Sequence, residues 1–211
     1  MPADTDAPPA PQTTIRAGGC DGCTLCCKVM AVGSIEKPAY SWCRHCRKDS
    51  GCGIYETRPA ECSTFVCGWL SIPELPAAWK PSVSRLIVSN LNAEGNIAVY
   101  VDPARPDAWH RQPYLGLMQN WARQALAAGR RVVVRVGERH IVIMPDHAID
   151  LGAVGDDELI VILAYAAGIG GGARHQVFAA KKEVWAKVGF EVAHGTQPPP
   201  LAGGFRSGTR V

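Results

Sequence analysis

Between residues 83 and 145 the apolar positions fall into two kinds of pattern. The runs "VSRLIVSN" and "NIAVYVD" are rich in β-branched residues and are joined by "LNAEG", which predicts a hairpin. "RRVVVRV" and "RHIVIMP", joined at "GE", predict a second. Between the two, Leu115, Leu117, Met118, Trp121, Leu126 and Ala127 recur at near-helical spacing within residues 111–129, and Gly129 stands where a C-terminal cap belongs. Further helices are expected from Asp156 to about Ala167, opening on the acidic "DDE", and from about Arg174 to Val188, carrying Val177, Phe178, Val184, Trp185 and Val188. The first of these is so apolar that a buried strand fits it as well. No repeat of fixed period appears.

Upstream the pattern breaks into short pieces. A helix over residues 23–30 would place Cys23, Cys26 and Cys27 on one face, and a second short helix is expected at "TRPAEC", with Thr57 as N-cap, Pro59 in the first turn and Gly68 just past the end. The three prolines of "SIPELPAAWKP" mark a seam near residue 80. Residues 1–17 and 195–211 are poor in core formers and are expected to lack fixed structure. The predicted fold is therefore α+β. A small metal-stapled, Cys-rich unit over 18–72 precedes a hairpin-helix-hairpin domain over 80–194 that ends in C-terminal helices.

Composition agrees with a globular chain: 47% of residues are hydrophobic and 19% charged, enough apolar material for an ordinary core. The formal charge of +3 gives no excess that would point to nucleic acid or an anionic membrane. The N-terminal stretch has neither the basic nor the apolar region of a secretory signal, and the longest apolar run, "LIVILAYAAGIGGGA", breaks into glycine. The reading is a cytoplasmic chain without membrane insertion.

All nine cysteines lie between positions 20 and 67: Cys20, Cys23, Cys26, Cys27, Cys43, Cys46, Cys52, Cys62 and Cys67. An odd count with no export signal argues against a disulfide framework. Pairs spaced C-x2-C are what a tight turn needs to bring two thiolates to one tetrahedral ion, and ligation is the means by which so short a segment, poor in aliphatic residues, acquires a fixed fold.

The string "CDGCTLCC", followed by "WCRHC" and "GCGIYETRPAECSTFVC", resembles the YkgJ-type CxxCxxCC cysteine-cluster proteins, described as zinc- or iron-chelating domains. The resemblance covers about residues 18–70 and rests on the nine cysteines with Ile54, Tyr55, Arg58, Pro59 and Phe65. It implies metal binding through these thiols, and it implies no reaction. Zinc leads on the C-x2-C knuckles and all-thiolate supply. Iron, with or without sulfide, is favoured by C-x2-C-x2-C, although the fourth cysteine follows at once as Cys27 and no proline comes next. Nine thiols could fill one site with spares, two mononuclear sites with one left over, or a small bridged cluster.

His45 is expected to point away from the ion that Cys43 and Cys46 would share, serving beside the site rather than as a ligand. Arg58, together with Lys28, Arg44, Arg47 and Lys48, could offset the charge of a thiolate-bound ion. Elsewhere the motifs are weak. "GIGGGAR" lacks the residues of a P-loop and reads as a hinge, and "MPDHAID" reads as a strand-end loop. The tryptophans 69, 79, 109, 121 and 185 read as core or seam residues. The expected function is a zinc- or iron-binding protein, with an iron-sulfur redox protein or a zinc-ribbon-like adaptor as alternatives. The second region could dock a protein partner, and nothing in it names a substrate.

Overall fold

The computed structural model describes residues 16, 20, 22–48, 50–90, 95–165, 174–194 (side chains to 188) and 203–211. The chain divides into two compact units, Met1–Ile87 and Val88–Val211.

Among the described residues of the first unit no helix or strand exceeds five residues. They are α1 (Leu25–Val29), β1 (Cys46–Arg47), β2 (Gly51–Cys52), α2 (Ala60–Thr64), α3 (Gly68–Ser71) and α4 (Pro81–Ser84), interspersed with single 3-10 turns. Isolated helices this short are not stable in water, so something other than backbone propensity must hold them. α1 buries Leu25 and Val29, one turn apart on its inner face. It is shorter than the pattern predicted. Cys23 lies before it, in a turn closed by the Cys23 N–H donating to Cys20 O at 2.9 Å.

The second short helix also differs from expectation. Pro59 occupies the N-cap of α2, Thr57 ends a 3-10 turn, and Gly68 opens α3 instead of terminating α2. The cause is local: a residue before proline is driven to extended backbone, and Arg58 (ψ 149°) and Pro59 (ψ 152°) both adopt it, so helical geometry starts only at Ala60.

Arg16, placed by composition in an unstructured terminus, is fixed. Its backbone N–H donates to Leu70 O at 2.8 Å, and its guanidinium donates to Trp69 O (3.1 Å), Pro73 O (2.7 Å) and Leu75 O (2.9 Å). It also lies 3.8 Å over the Trp69 ring. A cation is well placed there, against the unpaired carbonyls where α3 ends.

Across the division run β3 (Leu86–Asn90), β4 (Ile97–Val101), α5 (Tyr114–Ala127), β5 (Val132–Val136), β6 (Arg139–Ile143), β7 (Ala148–Ala153), β8 (Glu158–Tyr165), β9 (Arg174–Lys181), α6 (Lys182–His194), β10 (Phe205–Ser207) and β11 (Thr209–Arg210). One sheet has the order β11-β7-β6-β5-β4-β3 and a second the order β10-β9-β8. The fold is mixed α and β, as expected at that level. β5 and β6 form the predicted hairpin, with Gly137 at φ 61° in its turn. β4 pairs with β5 in parallel, so α5 is the crossover of a β-α-β unit rather than a spacer between independent hairpins. α5 ends as read: Arg130 N–H donates to Ala125 O and Gly129 N–H to Leu126 O, with Gly129 left-handed at φ 67°.

Three expectations are corrected here. Residues 158–165 are a strand, not a helix; the buried-strand alternative was the right one. Residues 174–181 are its antiparallel partner, so the predicted C-terminal helix begins only at Lys182. Part of the supposed tail, residues 205–207 and 209–210, is strand.

The β8–β9 pair is covered on both faces, which explains the absence of alternation. Ile160, Ile162 and Val177 pack with Val133, Val142, Met144 and Leu151 of the large sheet, while Val161, Leu163 and Phe178 pack with Trp185 and Phe205. Among the described residues no helix is long and apolar enough to cross a membrane. Residues 166–173, where the hinge was read, lie outside the described residues.

Candidate metal centre

The cysteines lie on or between the short elements of the first unit. Cys20 and Cys23 flank a turn, Cys26 sits within α1, and Cys67 is the N-cap residue of α3. These four thiols, from parts of the chain more than 40 residues apart at the extremes, border one cavity of about 20 Å³ walled by Trp69, Leu70 and Pro81. That is room for roughly one water-sized occupant. Arg16, stacked on Trp69, fixes one wall.

The setting keeps three of these thiols, Cys20, Cys23 and Cys67, protonated in the metal-free chain. Burial pushes Cys20 and Cys23 above the ordinary cysteine value and Cys67 up to about 12, and repulsion among the thiols adds to it. Opposing this, Arg58 and Lys80 favour the thiolate of Cys20, and backbone N–H groups of Leu25 and Ser82 that of Cys23. A cation in the cavity would reverse the balance, since thiols ionise when a metal binds them.

The other thiols form a second group. Cys43 N–H donates to Cys27 O at 2.9 Å, Cys46 N–H donates to Cys43 O at 3.0 Å, and Cys46 faces Cys52 across the β1–β2 ribbon. The Cys27 thiol is hydrogen-bonded to both Cys26 and Cys46, which raises Cys27 and lowers Cys26, to about 7. Burial raises Cys62, helped by the charges of Cys26, Cys43 and Cys52. Cys26 thus stands between the groups, its charge felt by Cys20, Cys23 and Cys67 on one side and by Cys27, Cys46 and Cys62 on the other.

All nine cysteines are free thiols. Among the described residues, no group of three or more His, Cys, Asp or Glu side chains already stands as a ligand set around one point. The thiols border the cavity without closing on it. As donors they suit zinc or iron: soft, all sulfur, and flanked by cations.

The predicted neighbours divide. Arg58 donates to Tyr55 O at 2.7 Å, lies 3.8 Å over the Tyr55 ring and acts on Cys20, as a charge-offsetting residue would. His45 turns to its neighbour: its Nε2 accepts from Arg44 Nε at 3.3 Å, and its carbonyl accepts from Gly53 N–H. Lys28 and Lys48 gather on the exposed Trp42 ring, at 5.7 and 5.3 Å. Of the tryptophans, 69, 79 and 109 are buried.

One residue went unread in the sequence. Lys37 is buried, and its ammonium donates to Lys28 O and Pro38 O at 3.1 Å each and to Met30 O. Burial lowers its pKa, against the pull of the thiols of Cys43, Cys27, Cys26 and Cys62. In the sequence it is an ordinary lysine in "SIEKPAY"; only the 32–37 bridge, which turns it back onto α1, reveals it.

Compared with family models, with characterised proteins and with solved structures, the chain matches none.

Proposed function

We propose that this is a metal-binding protein whose first unit coordinates zinc or iron through its cysteine cluster. The observation that carries the reading is the convergence of Cys20, Cys23, Cys26 and Cys67 on one ion-sized cavity. Four thiols from two segments, residues 20–26 and Cys67, around one void are hard to explain as packing, because a core gains more from aliphatic groups than from sulfurs that repel one another when ionised.

Cys20, Cys23, Cys26 and Cys67 would be the ligands. The bound ion supplies a cross-link between segments whose own helices and strands are too short to stand alone. Arg58 and Lys80 favour the anionic form of Cys20, and Arg16 holds the Trp69 wall. The resemblance to cysteine-cluster chelating domains points the same way on its motif residues.

Metal and acid-labile sulfide content of protein purified anaerobically tests this. A colourless protein with stoichiometric zinc, or an iron-bearing one, supports the reading, and sulfide with brown colour specifies an iron-sulfur cluster. Protein that carries no metal and takes up neither ion overturns it.

A further inference from the structure

Of the six tryptophans, five are buried or half-buried and Trp42 alone is exposed, at 43%. One open ring needs no explanation by itself, but its surroundings do. The Lys28 ammonium, from the last turn of α1, lies 5.7 Å from the ring centroid, and the Lys48 ammonium 5.3 Å. Between the ring and Lys48 the chain adds Arg44 and Arg47, both exposed as Lys48 is. The stretch "WCRHCRK" therefore carries three permanent positive charges and no acid, and the single acidic residue between Lys37 and Glu56 is Asp49.

Backbone hydrogen bonds fix this placement. Cys43 N–H donates to Cys27 O at 2.9 Å, which brings Trp42 to the end of α1, and Cys46 N–H donates to Cys43 O at 3.0 Å. Gly53 N–H donates to His45 O at 2.8 Å, setting the next turn beside the first. Arg47 crosses to that turn: a Cβ added at Gly53 would stand 3.2 Å from its Nε. Two residues on is Tyr55, 56% exposed, with the Arg58 guanidinium 3.8 Å over its ring. Among the described residues, Trp42 and Tyr55 are the only exposed Trp, Tyr or Phe side chains.

Open rings with cations against them suit a ligand that offers flat π faces and negative charges at short intervals. Single-stranded nucleic acid offers both, since its bases stack on aromatic rings and phosphates lie between them. An acidic peptide would engage the cations and leave the rings unused, and a duplex hides its base faces. A membrane surface would need aliphatic groups around Trp42, and no large aliphatic side chain within the described residues of 28–58 is exposed. At 5.3 and 5.7 Å neither lysine is in van der Waals contact with the ring, which takes about 4 Å, so a base can enter as the ammonium groups turn to phosphate. We infer that Trp42, Tyr55, Lys28, Arg44, Arg47 and Lys48 form a binding surface for single-stranded nucleic acid, the rings stacking bases and the cations holding phosphates. The formal charge of +3 over the whole chain conceals this surface, because its cations are concentrated on one turn. The assignment needs the first unit folded but no particular ion in it.

Fluorescence anisotropy of labelled oligo-dT and oligo-U strands of about twelve nucleotides, titrated with the full-length protein as purified, tests this. Binding tighter than to a duplex of the same length is expected, and the strand bound more tightly tells DNA from RNA. W42A should weaken binding about 5- to 100-fold, with partial recovery in W42F. The slope of log affinity against log salt should be about −2 to −3, and R44Q/R47Q/K48Q should flatten it by about 2. If W42A does not fold, photo-cross-linking of the unaltered protein to an iodouracil-bearing strand replaces it, with adducts expected within residues 28–58. Failure to bind either strand, unchanged affinity in W42A, equal affinity for duplex, polyglutamate or anionic phospholipid vesicles, or adducts confined to residues 88–211 would each overturn the assignment.

Discussion

The two units differ in the material they offer for holding a chain together. The second buries long β-branched strands on both faces: Val132, Val133, Val134, Val142 and Ile143 are at most 1% exposed, and Phe178 is fully buried. The first, among its described residues, has helices and strands of five residues or fewer and a smaller set of buried apolar groups, among them Leu25, Val29, Val32, Trp69, Leu75 and Trp79. An apolar core is distributed, so stability is spread over many side chains. A metal site such as the one proposed for the first unit would be concentrated, a few atoms carrying most of it.

The sharpest way to break this comparison is to withdraw metal. A strong chelator should cost the first unit on the order of 10 kcal/mol per ion and leave the second intact. Hydrogen exchange read by mass spectrometry should show residues 20–80 losing protection while residues 97–181 keep it. Equal loss in both would mean a shared core.

Acid should act on the same unit for the same reason. Metal-bound thiolates carry no proton, whereas burial holds Cys20, Cys23 and Cys67 protonated in the metal-free fold, so binding releases protons and weakens as pH falls. Because Cys67 is raised to about 12, proton release should persist above the range near pH 8.5 where ordinary thiols have already ionised. Calorimetry in buffers of different ionisation enthalpy measures it, and release that stops near pH 9 would contradict the burial described.

Within the second unit the largest single loss is expected from Phe178→Ala. The side chain is enclosed by Trp185 and Phe205, at ring separations of 6.1 and 5.4 Å, and its removal should cost about 3–5 kcal/mol in urea unfolding without changing metal content.

Arg16→Ala sharpens the picture at a smaller scale. It should cost about 1–3 kcal/mol and lower metal affinity at the cavity, whose Trp69 wall it supports. The smallest effect concerns His140. Burial, and then Arg135, hold its pKa below the ordinary value, so the folded state takes up a proton less readily than the unfolded one. Stability of the second unit should therefore fall slightly as pH drops below about 6.5, and His140→Gln should remove that slope.

Periodicity made the second unit legible wherever one face of an element meets solvent. α5 and the β5–β6 hairpin could be placed to within a few residues. It failed at β8 and β9, because strands covered on both faces lose the alternation that distinguishes them from helix. That β4 and β5 run parallel was hidden for another reason: pairing between strands separated by a helix leaves no local signal.

In the first unit the thiols and their spacing were plain in the sequence. Their division into groups was not, because it depends on α1 starting only at Leu25, past Cys23, and on α3 carrying Cys67 at its N-cap. Lys37 left no trace, since its role comes from a turn rather than from its residue type.

β10 and β11 follow one another at residues 205–210, yet one closes the β10-β9-β8 sheet and the other completes the edge of the six-stranded sheet. Gly208 makes the passage possible: a side chain there would lie 2.3 Å from the Ile149 side chain. During synthesis the three-stranded sheet cannot be finished until residue 207 has emerged, nor the six-stranded one until residue 210, whereas all nine thiols have been delivered by residue 67. The order of emergence therefore gives the first unit a head start, so that the ion capture proposed for it would proceed while the sheets are still waiting for their last strands.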